Sequence, residues 1–205
     1  MTEKDKLTEE RIFDAAIEVF LEKGMDGARM QNIAEKADLN KALLHYYYRT
    51  KEKLFTSVFE AVAKKLFGKF TPLAESNLSL EEKIRFFFRE HIAFLQANPR
   101  LPGFIINEVN RNPERIKKFL IAADIEGLLK KLYEMHRKEF EAYNITEDIL
   151  PQLIISMAAI SVFPFAAKGL LEGVLGRMGT DFNSFIETRK QFAADFVIRG
   201  ITTYK

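Results

Sequence analysis

Apolar residues recur three and four positions apart along almost the whole chain, and no stretch of useful length alternates with period two. That spacing predicts an all-α protein. Glycines and prolines fall mostly between the periodic segments, so about nine helices can be counted. The first spans about Thr8 to Lys23, with Thr8 as N-cap, Glu9 and Glu10 at the positive end of the dipole and Gly24 as the stop. Its stripe is Ile12, Ala16, Val19 and Phe20. Two short helices follow, Met30–Lys36 and Asn40–Tyr47, separated by Ala37, Asp38 and Leu39. A fourth runs from Thr50 to Phe70 and stops before Pro72. Ser79 and Glu82 form a capping box that opens a fifth, which ends near Asn98 and Pro99. A short sixth fits Gly103–Asn110, and Asn112, Pro113 and Glu114 open a long seventh reaching Tyr143. The eighth and ninth are expected over Thr146–Leu171 and Asp181–Ile201, with Pro164 kinking or breaking the eighth.

Composition narrows the class. The 205 residues are 47% hydrophobic and 29% charged, enough for a sizeable core and unlike a disordered chain. No run of 18 apolar residues occurs, so no membrane partner is expected, and the charged first residues lack a signal-peptide core. The absence of cysteine excludes disulfides and thiolate chemistry and fits a cytoplasmic location. A net charge of +2 points to no partner by itself.

The local charge is more telling. Residues 1–26 carry four basic and eight acidic side chains, whereas residues 27–54 carry six basic and three acidic ones. The basic segment is also the one with two short helices and a three-residue turn, the pattern of a helix-turn-helix whose second helix can enter a major groove. Arg49, Lys51 and Lys53 gather at the start of the fourth helix, where the dipole disfavours cations by about 0.3–1 kcal/mol each. An anion bound there reverses that cost, and a DNA phosphate is the natural candidate beside a merely solvated cationic turn. On the second short helix, Asn40 is a good N-cap, and Leu39, Leu44 and Tyr48 can share an inward face. Lys41, Ala42, Leu43, His45, Tyr46 and Tyr47 are left for the outer faces. Lysine can reach guanine acceptors, alanine and leucine can touch a thymine methyl, and tyrosine can bond phosphate.

The run from Ile33 through Ala37-Asp38-Leu39-Asn40-Lys41 to Leu43-Leu44-His45-Tyr46-Tyr47-Tyr48, closed by Lys51-Glu52-Lys53-Leu54, resembles the DNA-binding signature of the tetracycline-repressor (TetR) family. The likeness covers about residues 8–58. It implies a homodimeric regulator, usually a repressor, released from a near-palindromic double-stranded DNA operator by a small-molecule effector. Its domains would be a helix-turn-helix DNA-binding domain at residues 1–54 and a helical ligand-binding and dimerisation domain at residues 55–205. Carried over by position, Gln31, Lys41, Ala42, Leu43 and His45 face bases, while Tyr46, Tyr47 and Lys51 contact phosphates. Four positions depart from the family's pattern. Arg29 replaces a capping threonine and can reach a phosphate instead. Asp38 replaces the turn glycine; if that position is left-handed, the cost is about 1 kcal/mol, partly offset by local hydrogen bonding. Leu43 replaces a threonine, and His45 a tyrosine, which makes one phosphate contact weaker or pH-dependent.

Beyond residue 80 the chain holds most of its 19 phenylalanines. Ile84, Phe87, Phe88, Ile92 and Leu95 share a face of the fifth helix with His91. Phe104, Asn107, Phe119, Tyr133 and Phe163 could join Phe87, Phe88 and His91 around an apolar cavity, although a solid aromatic core explains any one of them as well. The resemblance is what makes a pocket for an apolar or amphipathic ligand an expectation. Leu153, Met157 and Ser161 on the eighth helix, with Phe185, Arg189, Phe192 and Phe196 on the ninth, are the expected dimer interface; burial within one subunit is the alternative.

Enzyme signatures are missing from the sequence. It has no nucleophile elbow, P-loop, dinucleotide fingerprint or zinc-protease motif, and none of the three histidines follows a glutamate at the ferritin-like spacing. No catalysis, cofactor or metal is therefore expected. The remaining alternative is a helical binding protein whose helix-turn-helix no longer reads DNA.

Overall fold

A computed structural model describes residues 3–68, 77–122 and 124–203. They form twelve helices and no strand: α1 (Glu3–Gly27), α2 (Met30–Lys36), α3 (Lys41–Tyr47), α4 (Lys51–Gly68), α5 (Leu80–Ala97), α6 (Leu101–Arg111), α7 (Pro113–Ala122), α8 (Ile125–Met135), α9 (Arg137–Ala142), α10 (Leu150–Ala166), α11 (Lys168–Arg177) and α12 (Phe182–Thr202). The expected end of the fourth helix near Phe70, before Pro72, lies outside the described residues.

The count exceeds nine because two expected helices are divided. The long seventh becomes α7, α8 and α9. Asp124 takes a left-handed conformation (φ 47°) and caps α8, its Oδ1 accepting from the Gly127 N–H at 3.2 Å. A Cβ at Gly127 would lie 2.3 Å from the Asp124 carboxylate, so a larger residue there would displace the cap. His136 (φ −112°, ψ 19°) then separates α8 from α9. The eighth becomes α10 and α11, set 77° apart. No single helix among the described residues is long and apolar enough to cross a membrane.

The chain divides into two compact units, residues 1–65 with 104–119 and residues 66–103 with 120–205. In the first, Ile12, Ala16, Val19 and Phe20 of α1 meet Ile33 and Ala34 of α2, Leu44 of α3 and Leu54, Phe55 and Val58 of α4, all fully or nearly fully buried. The Phe20 and Phe55 rings meet edge to face at 4.9 Å, and Phe104 of α6 tilts against Phe55 at 5.5 Å. Gly24 supplies the expected break in α1 with φ 65°. The helix nonetheless starts at Glu3 rather than Thr8, because residues upstream of Thr8 have partners: Asp5 accepts from the Tyr47 hydroxyl.

In the second unit α5 lies along α12. Ile84, Phe88, Ile92 and Leu95 bury against Ile186, Ala193, Ala194 and Val197, and the paired alanines permit close approach. Arg85 to Asp195 (2.6 Å) and Gln96 to Glu187 (2.9 Å) join the same two helices. The Ser79–Glu82 capping box is formed in both directions. Pro164 does not break α10 but lies inside it and cannot donate to the Ile160 carbonyl. Arg189 fills that vacancy from α12, its Nε and Nη2 donating to Ile160 O at 3.2 and 3.1 Å.

Candidate nucleic-acid interface and an apolar cavity

Two residues set the angle between α2 and α3. Asp38 is left-handed (φ 54°), and Arg11 of α1 holds that turn, its Nη2 donating to Ala37 O at 2.6 Å, Asp38 O at 3.1 Å and Asp38 Oδ2 at 3.2 Å. The Asn40 side chain then caps α3, accepting from the Leu43 N–H at 2.7 Å. Leu44 is fully buried and anchors α3 from below, while Leu39 and Tyr48 are half-buried. Arg29 starts α2 without a side-chain cap, as its chemistry requires. Arg11 is a contributor that sequence reasoning missed; nothing in its own neighbourhood signals a partner 27 residues away.

The outer side of this motif carries most of the expected contact residues. Arg29, Gln31, Lys41 and Ala42 are exposed, Leu43 and His45 are half-buried, and Tyr46 is 78% exposed. Gln31 donates to Glu35 at 2.8 Å, and His45 Nδ1 donates to the Arg49 carbonyl at 3.2 Å. Of the three tyrosines, only Tyr46 has its ring fully presented. Tyr47 donates to Asp5 at 3.1 Å and stands edge-on to Tyr46 at 5.5 Å; burial and Asp5 push its phenol above the usual tyrosine range. Tyr48 reaches Glu9 at 3.5 Å, and burial, then Glu9, raises it likewise.

A polar groove of about 530 Å³ runs beside α3 and the start of α4, lined by Tyr46, Tyr47, Tyr48, Arg49, Glu52, Lys53, Thr56 and Ser57. Arg49 and Lys53 are exposed on it. Lys51 is not among its lining residues. Its ammonium turns back to α1 and donates to Ala28 O at 3.1 Å and Asp26 O at 3.5 Å. It thus satisfies carbonyls at the end of α1, where a cation suits the dipole. Arg49 and Lys53, rather than Lys51, present their charged side chains on the groove.

The second unit holds a partly open apolar cavity of about 190 Å³ lined by α5, α8, α9 and α10. Ile84 and Phe87 of α5, Leu128 and Leu132 of α8, Phe140 of α9 and Leu153 and Met157 of α10 line much of it. Of the seven expected ligand residues whose side chains are described, only Phe87 lines this cavity. Phe88 and Tyr133 are packed solidly, Tyr133 against Phe140 at 5.5 Å. His91 lies behind Phe87, its ring 5.0 Å away, and pairs with Ser161 Oγ at 2.8 Å. Ser161 Oγ also lies 3.0 Å from the carbonyls of Met157 and Ala158, one helical turn back. Burial pulls the imidazole down to about 4. Phe104 belongs to the first unit's core and Asn107 is exposed there. The Phe119 side chain lies outside the described ones.

Phe163 is 56% exposed and points away from the cavity. The two faces of α10 are thus exchanged relative to expectation. Leu153, Met157 and Ser161 turn inward, to the cavity and to His91, while Ile155 and Phe163 are presented outward. Helical periodicity separates the faces correctly but cannot say which is inside when both are apolar. On α12, Phe192 and Phe196 are outward at 62% and 61% exposure and stack on each other at 6.2 Å. Phe185 is half-buried under the Arg189 guanidinium.

Residues 12–58 match the model of bacterial regulatory proteins, tetR family. The HTH-type transcriptional repressor SCO4008 of Streptomyces coelicolor is 47% identical over 53 residues, 26% of this chain and 28% of that protein. The Probable HTH-type transcriptional regulator YttP of Bacillus subtilis is 24% identical over 177 residues, 82% of each chain. The transcriptional regulator FadR from Bacillus subtilis, crystallised in complex with stearoyl-CoA, has a TM-score of 0.61 at 16% identity, covering 91% of this chain and 97% of that one. At that identity the likeness is one of fold. The match to SCO4008 spans little more than a quarter of that repressor's length. The likeness to the tetR family model is carried by residues 12–58, the segment that holds the braced helix-turn-helix.

Proposed function

We propose that the protein is a homodimeric DNA-binding repressor, released from a near-palindromic operator by a small apolar or amphipathic molecule held in the second unit. The observation that carries the DNA reading is α3 itself. It is capped at Asn40, anchored by Leu44 and held at its turn by Arg11, with Lys41, Ala42 and Tyr46 exposed outward. Lys41, Ala42 and Leu43 read base edges, assisted by Gln31 and His45. Arg29, Tyr46, Arg49 and Lys53 hold phosphates along the groove, and Tyr47 joins them only when its hydroxyl leaves Asp5.

The exposed apolar residues of α10 and α12 support the dimer. Ile155, Phe163, Phe192 and Phe196 leave large hydrophobic side chains in water, which a second copy would cover. A two-fold pair sets its recognition helices about 34–36 Å apart, one turn of DNA. α4 is the stretch of chain that leads from the first unit into the second, and we assign to it the coupling between ligand and DNA spacing. That coupling requires the ligand to bind the two conformations with different affinity.

Selection of bound duplexes from a random pool at two salt concentrations tests this. A recovered near-palindrome is expected. Weak binding without sequence preference that vanishes at moderate salt would overturn it and leave a helical binding protein.

A further inference from the structure

α3 carries one side chain whose hydrogen-bonding sense is fixed before any DNA arrives. His45 Nδ1 lies 3.2 Å from the backbone carbonyl of Arg49, four residues further along the chain. A carbonyl oxygen only accepts, so Nδ1 carries the proton. In the neutral ring the other nitrogen, Nε2, is then an acceptor and nothing else. Among the described residues His45 makes no further hydrogen bond, and its Nε2 is reached by solvent. Water serves it in the free protein.

The position of the ring decides what can replace that water. His45 follows the exposed Lys41 by four residues and the exposed Ala42 by three, so the three share one side of α3. Lys41 brings donors alone and suits the keto oxygen of guanine or thymine. His45 is its complement. An acceptor is repelled by guanine O6 and N7 and by thymine O4, and it is matched by the amino group of adenine N6 or cytosine N4. The same fixed proton excludes a phosphate role for the neutral ring. A phosphate oxygen also accepts, and Nε2 has no proton to give it.

We infer that His45 selects an amino-bearing base, adenine or cytosine, over guanine or thymine at one position of each operator half-site, its Nε2 accepting from that amino group. This rests on the proposed DNA reading and specifies the chemistry of one position within it. The Arg49 carbonyl acts through His45, since it sets both the tautomer and the angle of the ring.

Selection from a random duplex pool at pH 8, run in parallel on the full chain as wild type, His45→Phe and His45→Lys, tests the inference. The wild type is expected to show one position per half-site where adenine and cytosine are favoured over guanine and thymine by about threefold to tenfold, the effect of one net hydrogen bond. His45→Phe keeps an aromatic ring without nitrogens, so it should level that position and leave the others. His45→Lys only donates and should turn the same position to guanine or thymine. Sites in which no position responds to His45→Phe would overturn the inference, as would a responding position whose wild-type preference runs to guanine or thymine. So would a preference left unchanged by His45→Lys. A uniform loss of affinity in His45→Phe, with every base preference intact, would overturn it and return the ring to a phosphate. In each of these outcomes a near-palindrome is still recovered and the repressor reading stands. A wild-type pool without sequence preference removes that reading, and the inference with it.

Discussion

The two units put their chemistry in opposite places. In the first, the core is ordinary and the informative side chains are outside, on α3 and the start of α4. In the second, the outside of α10 and α12 is apolar, and the unusual polar groups, His91, Ser161 and Lys83, are inside. A surface that reads DNA must be held rigidly from below, so its supports are short and strong: Leu44 under α3, Asn40 at its cap, Arg11 at its turn.

The largest expected effect breaks the first unit's core. Phe20→Ala removes the ring that meets Phe55 and should cost about 3–5 kcal/mol in urea unfolding. A loss below 1 kcal/mol would mean that the helix-turn-helix does not depend on that contact.

Next comes a pH effect confined to the second unit. His91 titrates near 4 in the folded protein and near its ordinary 6.5 when unfolded, so the unfolded chain takes the proton first. Stability is then fully present above about pH 6.5 and is lost as pH falls toward 4, by up to about 3 kcal/mol. His91→Gln should flatten that part of the profile in melts followed by circular dichroism. An unchanged slope would assign the acid sensitivity elsewhere.

A smaller effect is expected at Arg189. Removing its guanidinium leaves the Ile160 carbonyl, already deprived of a donor by Pro164, without Arg189's two hydrogen bonds. Arg189→Ala should cost about 1–3 kcal/mol. Arg189→Ala combined with Pro164→Ala should cost less than the single changes added together, because alanine restores the helical N–H. Strict additivity would refute the pairing.

These sites differ in how far the chain itself announces them. The cap at Asn40, the capping box at Ser79 and the break at Gly24 depend on neighbours in sequence, and all three are formed as local chemistry dictates. The left-handed Asp38 was legible as a departure from glycine, but Arg11, which supports it, was not, since the contact is made only by folding. The cavity was the least legible part. Phe88, Phe104 and Tyr133 carry the same apolar signal as Phe87, and only packing decides that Phe87 lines space while the others fill it. The exchanged faces of α10 have the same origin: a helix apolar all round has no polar side to orient it.

The assignment of cations to phosphate or to structure gives the most direct test of the account. Affinity for a selected duplex would be measured across a range of salt concentrations in wild type, Lys53→Ala and Lys51→Ala. Lys53 is exposed on the groove, so its loss should lower the log–log salt slope by about one and leave base preference intact. Lys51 is bonded to Ala28 O, so its loss should leave the slope unchanged and lower stability by about 1 kcal/mol. A flattened slope for Lys51→Ala with none for Lys53→Ala would contradict the account at its centre.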